Sequence, residues 1–75
     1  MTGINDTRIK KARIAIEAQG WSVYETRIRP TPEGNCFLEI FKDGRKKAWG
    51  VHDRSYCWAE AYQEVIGSQW EVLDG

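Results

Sequence analysis

The sequence predicts an α+β fold ordered helix, three-stranded antiparallel sheet, helix (αβββα), and three local signals carry that prediction. Ile9, Ala12 and Ile16 recur at helical spacing ahead of Gly20. Asp43-Gly44 separates two strand-like runs, and Trp58, Ala61, Tyr62 and Val65 repeat the helical stripe ahead of Gly67. At 75 residues the chain has material for one domain, residues 1–75. A domain of this size buries only roughly 60% of the surface its unfolded chain exposes, which leaves little volume for a deep, dry pocket. Four Trp, three Tyr and two Phe offset the short length. Each buried ring removes more area from water than an aliphatic side chain.

In the first helix, Asn5 or Asp6 is the expected cap and Gly20 the C-terminal stop. Ala15 and Gln19 flank the buried stripe, Ile14 sits near its edge, and Arg8, Lys10 and Lys11 fall on the opposite side. Cations in the first half of a helix oppose its dipole, so they point to a role other than helix stability. From Trp21 to Arg29, Trp21 and Val23 alternate with Tyr24, Thr26 and Ile28, which predicts a strand ending at Pro30. Pro30-Thr31-Pro32-Glu33-Gly34 then reads as a stiff loop.

A two-residue turn at Asp43-Gly44 sets a register in which Lys42 faces Arg45, Ile40 faces Lys47, Leu38 faces Trp49 and Cys36 faces Val51. Cys36, Leu38, Ile40, Trp49 and Val51 then share the core face. Phe37, Glu39, Phe41, Lys46, Ala48 and Gly50 share the other, which mixes rings with charges and lies open to solvent. The second helix starts at Asp53 or Ser55 as cap. In the tail, Trp70 and Val72 alternate with Gln69, Glu71 and Leu73, so residues 68–73 either add a short edge strand or lie across the core.

Catalytic patterns are sparse. His52 and Asp53 are the nearest thing to a base and its orienting carboxylate, but neighbours on a strand point to opposite faces, so a strand-end or capping role fits better. Cys36, His52 and Cys57, with Asp53 as a fourth donor, lack the paired spacing of zinc sites. Cys57 near a helix start is the one thiol a dipole could activate, and buried packing is the simpler reading of both cysteines. No GxxxxGK[ST] or GxGxxG segment is present. The expectation is a non-enzyme without cofactor or metal. Two cysteines are too few for a disulfide framework, no secretory leader pattern opens the chain, and the apolar runs are far shorter than a membrane span. The expected location is the cytoplasm, with free thiols.

Net charge is zero, yet ten of the eleven basic side chains lie in residues 1–52 against six acids, while residues 53–75 hold one base and five acids. Such asymmetry points to a partner of opposite charge. The fold order, with the hairpin-then-helix segment Asn35 to Ile66, resembles the double-stranded-RNA-binding domain, a resemblance of topology over most of the chain. In that family the last helix opens with a lysine-rich motif that grips phosphates across a groove. The matching stretch here is Asp53-Arg54-Ser55-Tyr56-Cys57-Trp58-Ala59-Glu60, so the resemblance implies the fold without those contacts.

Two binding readings follow. A protein partner, or a second copy, fits the charge polarity, with Phe37, Phe41, Lys42, Arg45, Lys46, Lys47, Arg8 and Lys11 as the candidate contact residues. A small accessory or inhibitor of a larger host complex, of the kind viruses and mobile elements encode, matches the size and the lack of catalytic motifs. The alternative is nucleic acid, held by Arg8, Lys10, Lys11 and Arg13 and by the hairpin cations, with Phe37 and Phe41 as stacking platforms. The neutral net charge and the acidic C-terminal third oppose that alternative. No membrane or small-molecule partner is expected.

Overall fold

The computed structural model describes residues 4–27 and 35–74, the side chains of residues 4–6, 51 and 74 excepted. The order is α1 (Ile4–Ala18), β1 (Ser22–Arg27), β2 (Asn35–Lys42), β3 (Arg45–Asp53), α2 (Arg54–Ile66) and a 3₁₀ turn at Trp70–Asp74. The three strands form one antiparallel sheet in the order β1-β2-β3. The predicted αβββα fold is therefore the observed one. The strand end at residues 28–29 and the loop at residues 30–34 lie outside the described residues.

Backbone helix already begins at Ile4, so Asn5 and Asp6 sit inside the first turn and neither is the cap. Helix ends commonly shift by such a margin, because the first amides have no intrahelical acceptor to fix them. Ile9, Ala12 and Ile16 are buried as the stripe requires, while Gln19 is exposed. Ile14 is not at an edge but among the most exposed apolar side chains, at 67%. At the other end of α1, Lys42 reaches from β2 and donates its ammonium to the Gln19 carbonyl at 2.7 Å. The cation that a helix C-terminus favours thus comes from the hairpin, not from the helix.

The hairpin turn has positive φ at both central residues, 51° at Asp43 and 79° at Gly44, the type I′ geometry that Asp-Gly supplies. Lys42–Arg45, Ile40–Lys47 and Leu38–Trp49 pair as the turn dictates. Beyond them the register shifts, and Cys36 faces His52 instead of Val51. Gly50 and Val51 together oppose Phe37, a β-bulge in β3. The Phe37 ring explains it. A Cβ built at Gly50 would clash with that ring, so this bare stretch of strand serves as its seat. The Val51 side chain, expected in the core, lies outside the described residues.

Both helices pack on the inner face of the sheet. Trp58, Ile16, Leu38, Ile40, Cys36 and Cys57 are fully buried between the layers. The Cα envelope, 34 × 29 × 15 Å, is that of one helix layer on one sheet layer. Asp53 is the N-cap of α2, its carboxylate accepting the Tyr56 amide at 2.8 Å, and Gly67 closes the helix at φ 89°. The tail takes the second of its two expected courses, crossing the helices as a 3₁₀ turn with Trp70 buried and Leu73 packed on the core.

Because Phe37 occupies the space over Gly50, Gly50→Val should lower stability by about 1–3 kcal/mol. Urea unfolding followed by Trp fluorescence measures it. Ala48→Val, one pleat away on an exposed site, should change the midpoint far less.

Candidate functional site

The outer face of the sheet is built by register. Pairing of Ser22 with Phe41, Tyr24 with Glu39 and Thr26 with Phe37 sets three β1 side chains beside three from β2, and Lys46 and Ala48 of β3 extend the row. Neither helix covers this face. Tyr24 and Phe41 meet edge to face, with centroids 5.4 Å apart and planes at 77°. Tyr24 remains 58% exposed and Phe41 36%, while Phe37 is half-buried on Gly50. Lys46 joins Glu39 at 3.2 Å and lies 6.0 Å from the Phe41 centroid. The result is an aromatic strip crossed by one neutralised ion pair.

Of the predicted contact residues, the structure gathers Phe37, Phe41 and Lys46 on this face, whereas Arg45, the cross-strand partner of Lys42, has the parity of the opposite face beside the turn. Lys42 borders it but is tied to the end of α1. Lys47 is on the other side of the strand and pairs with Glu64 of α2 at 3.0 Å. Arg8 and Lys11 are elsewhere entirely. Arg8 sits 5.7 Å from the centre of the Trp70 ring and Lys11 donates to the Leu73 carbonyl at 3.0 Å, so both hold the C-terminal turn against α1. Arg13 lies 5.9 Å from the Trp58 ring and also pairs with Glu17. The cations that oppose the α1 dipole are therefore largely employed in tertiary contacts.

Two further residues, Tyr24 and Glu25, belong to the sheet's two faces by register. Tyr24 joins the aromatic strip only through the β1–β2 register, which the intervening loop leaves open in sequence. Glu25 lies on the inner face with 9% side-chain exposure. Its carboxylate takes both Nε and Nη2 of Arg54, the latter at 2.8 Å, and the Trp58 indole N–H at 3.1 Å. Burial by itself would raise the Glu25 carboxyl. The hydrogen bonds from Arg54 and Trp58 and the charges of Arg54 and Arg27 outweigh it and hold the group below its ordinary range. The available signal was parity: after Trp21 and Val23, position 25 faces inward.

The remaining reactive groups have structural surroundings. Cys36 and Cys57 are free and buried. Burial first, then the neighbouring Cys57, pushes the Cys36 thiol up to about 12. Cys57 is also raised, by burial, despite its place in the first turn of α2. His52 stacks on Tyr56 with centroids 4.0 Å apart, and its Nδ1 accepts the Asp53 amide at 3.0 Å. Among the described residues no group of three or more His, Cys, Asp or Glu is placed to hold a metal ion, and no helix is long and apolar enough to cross a membrane.

A carboxyl with a depressed folded pKa stabilises the fold above its unfolded pKa, near 4.5, and that contribution disappears as pH falls through the lower folded value. Stability should therefore decline below about pH 4.5. Glu25→Gln should remove this part of the pH dependence and cost about 2–4 kcal/mol at neutral pH, since Arg54 loses its partner in a partly buried site. Urea midpoints measured across the acid range for both proteins provide the check.

No protein-family model, no curated protein and no solved structure matches this chain.

Proposed function

We propose that this chain is a non-catalytic binding module that engages a protein partner through the outer face of its sheet. The observation that carries the reading is the strip of Tyr24, Phe41 and Phe37 on a face that neither helix covers. Exposed aromatic rings keep apolar area in water that a partner can bury, and aromatics with Arg are the favoured anchors of protein interfaces. Phe37 is held on Gly50 and Tyr24 against Phe41, so the rings lose little freedom on binding.

The cation arrangement favours protein over nucleic acid. A phosphate-binding surface needs several free cations side by side. Here Lys42, Lys46 and Lys47 are directed to three different acceptors, namely the Gln19 carbonyl, Glu39 and Glu64. Three of the four α1 cations are likewise engaged within the molecule. The rings could stack on single-stranded bases, but the same strip offers few unpaired charges for the backbone. A small accessory or inhibitor seated on a larger cytoplasmic complex is the role that fits this mode of binding.

Affinity capture from the source cell tests the reading. The wild-type chain and Ile14→Ser should retain the same stoichiometric polypeptide, nuclease treatment should leave it bound, and Tyr24→Ser/Phe41→Ser should lose it by about tenfold or more. Equal retention by the double variant would exclude this face.

A further inference from the structure

We infer that β1 is a docking edge for a second copy of this chain, the two β1 strands pairing antiparallel about a two-fold axis so that both sheets become one. The sheet has two edges, and they are protected differently. β3 carries Arg45, Lys46 and Lys47 and is bent by the bulge at Gly50 and Val51, both of them devices that discourage pairing with another chain. β1 has neither. Its described residues, Ser22–Arg27, pair with β2 without interruption and include no lysine or proline. Among the described residues no strand lies on its other side, so that row of amides and carbonyls is open to a further ladder. The strand's one acid, Glu25, points inward and is no deterrent, because Arg54 and the Trp58 indole already satisfy it.

The occupant follows from the strand's complementarity to itself. Side chains keep their own face only when paired positions have the same parity. An axis at Tyr24 sets Tyr24 against Tyr24 of the second copy, Ser22 against Thr26, Val23 against Glu25 and Trp21 against Arg27. Ring–ring and hydroxyl–hydroxyl pairs are favourable cross-strand neighbours. Arg27 is exposed, and its guanidinium falls beside the half-buried Trp21 indole of the other copy. No like charges meet. The neighbouring registers are worse. An axis at Glu25 opposes two carboxylates, one at Val23 runs Thr26 and Arg27 past the strand's start, and one at Thr26 sets Ser22 against Pro30, which has no amide to donate. The favoured register brings the Tyr24–Phe41 pairs of both copies into one continuous outer face, so it extends that face without covering it.

Sedimentation equilibrium of the purified chain between about 10 μM and 1 mM tests the assignment. One strand per copy makes a small interface, so the mass should rise toward the dimer with a dissociation constant of about 0.1 mM. Ser22→Lys/Thr26→Lys sets lysine against lysine and should weaken the dimer by about tenfold or more. Ser22→Lys/Thr26→Glu sets opposite charges together and should dimerise at least as well as the wild type. Cysteines then fix the register, the two native thiols being buried. Under diamide, Tyr24→Cys should cross-link to itself, whereas Ser22→Cys and Thr26→Cys should cross-link to each other in a mixture and far less alone. If the double-lysine variant proves unfolded by circular dichroism, the cysteine series decides. A strict monomer up to about 1 mM, equal dimerisation by the two charge variants, or Ser22→Cys cross-linking alone as readily as in the mixture overturns the assignment. A dimer abolished by Phe41→Ser but not by the double-lysine variant also overturns it, since the second copy would then sit on the outer face.

Discussion

The fold depends on one part-buried constellation, the Glu25 carboxylate held between Arg54 and the Trp58 indole. β1 is an edge strand with a ladder on one side only, and its described stretch is six residues long. Glu25 ties it to the first turn of α2, two elements far apart in sequence. Trp58 is fully buried and has a single polar atom, so it needs an acceptor inside the protein. Arg13 approaches the same ring from α1. Three elements are thereby fixed around one indole. The pair is well satisfied where it is buried: among the described residues no buried polar side-chain atom is left unmatched.

Part of the charge asymmetry of the sequence is met inside the molecule. Lys47 meets Glu64 and Lys11 meets the Leu73 carbonyl across the molecule, while Arg13 and Lys46 find Glu17 and Glu39 within the first two thirds. Each such contact is individually weak, because both partners face water. Together they bias which element lies beside which, a form of specificity distinct from net stability. An uneven linear charge distribution therefore need not produce an equally uneven surface. What remains outward at the hairpin turn is a smaller and more local excess, centred on Arg45.

The legibility of the chain followed the range of each interaction. Turn chemistry at Asp43-Gly44 fixed three of the four cross-strand pairs it predicts, because only two residues separate the strands. The stripe of Ile9, Ala12 and Ile16 and the caps at Asp53 and Gly67 were readable for the same reason, being settled within a few residues. The bulge was not, since it arises from the Phe37 ring on Gly50 across the sheet. Nor was the placement of Tyr24 beside Phe41, which needs a register that the sequence between β1 and β2 leaves undetermined. Of the candidate surface, the two Phe and Lys46 were legible from alternation. That Arg8, Lys11 and Lys47 serve the interior architecture required knowing where the C-terminal turn and α2 lie.

The one-sided sheet separates two kinds of constraint on the sequence. Every core contact is made from the inner face, so positions such as Ser22, Thr26, Phe41 and Ala48 answer to the fold only through strand propensity. They are free to drift, or to be selected, without carrying the helices with them. Phe37 is the exception, because its ring is bound to the bulge. A lineage could thus change this surface while leaving its scaffold unchanged. The open face is the part of the molecule in which divergence costs least and can change the most.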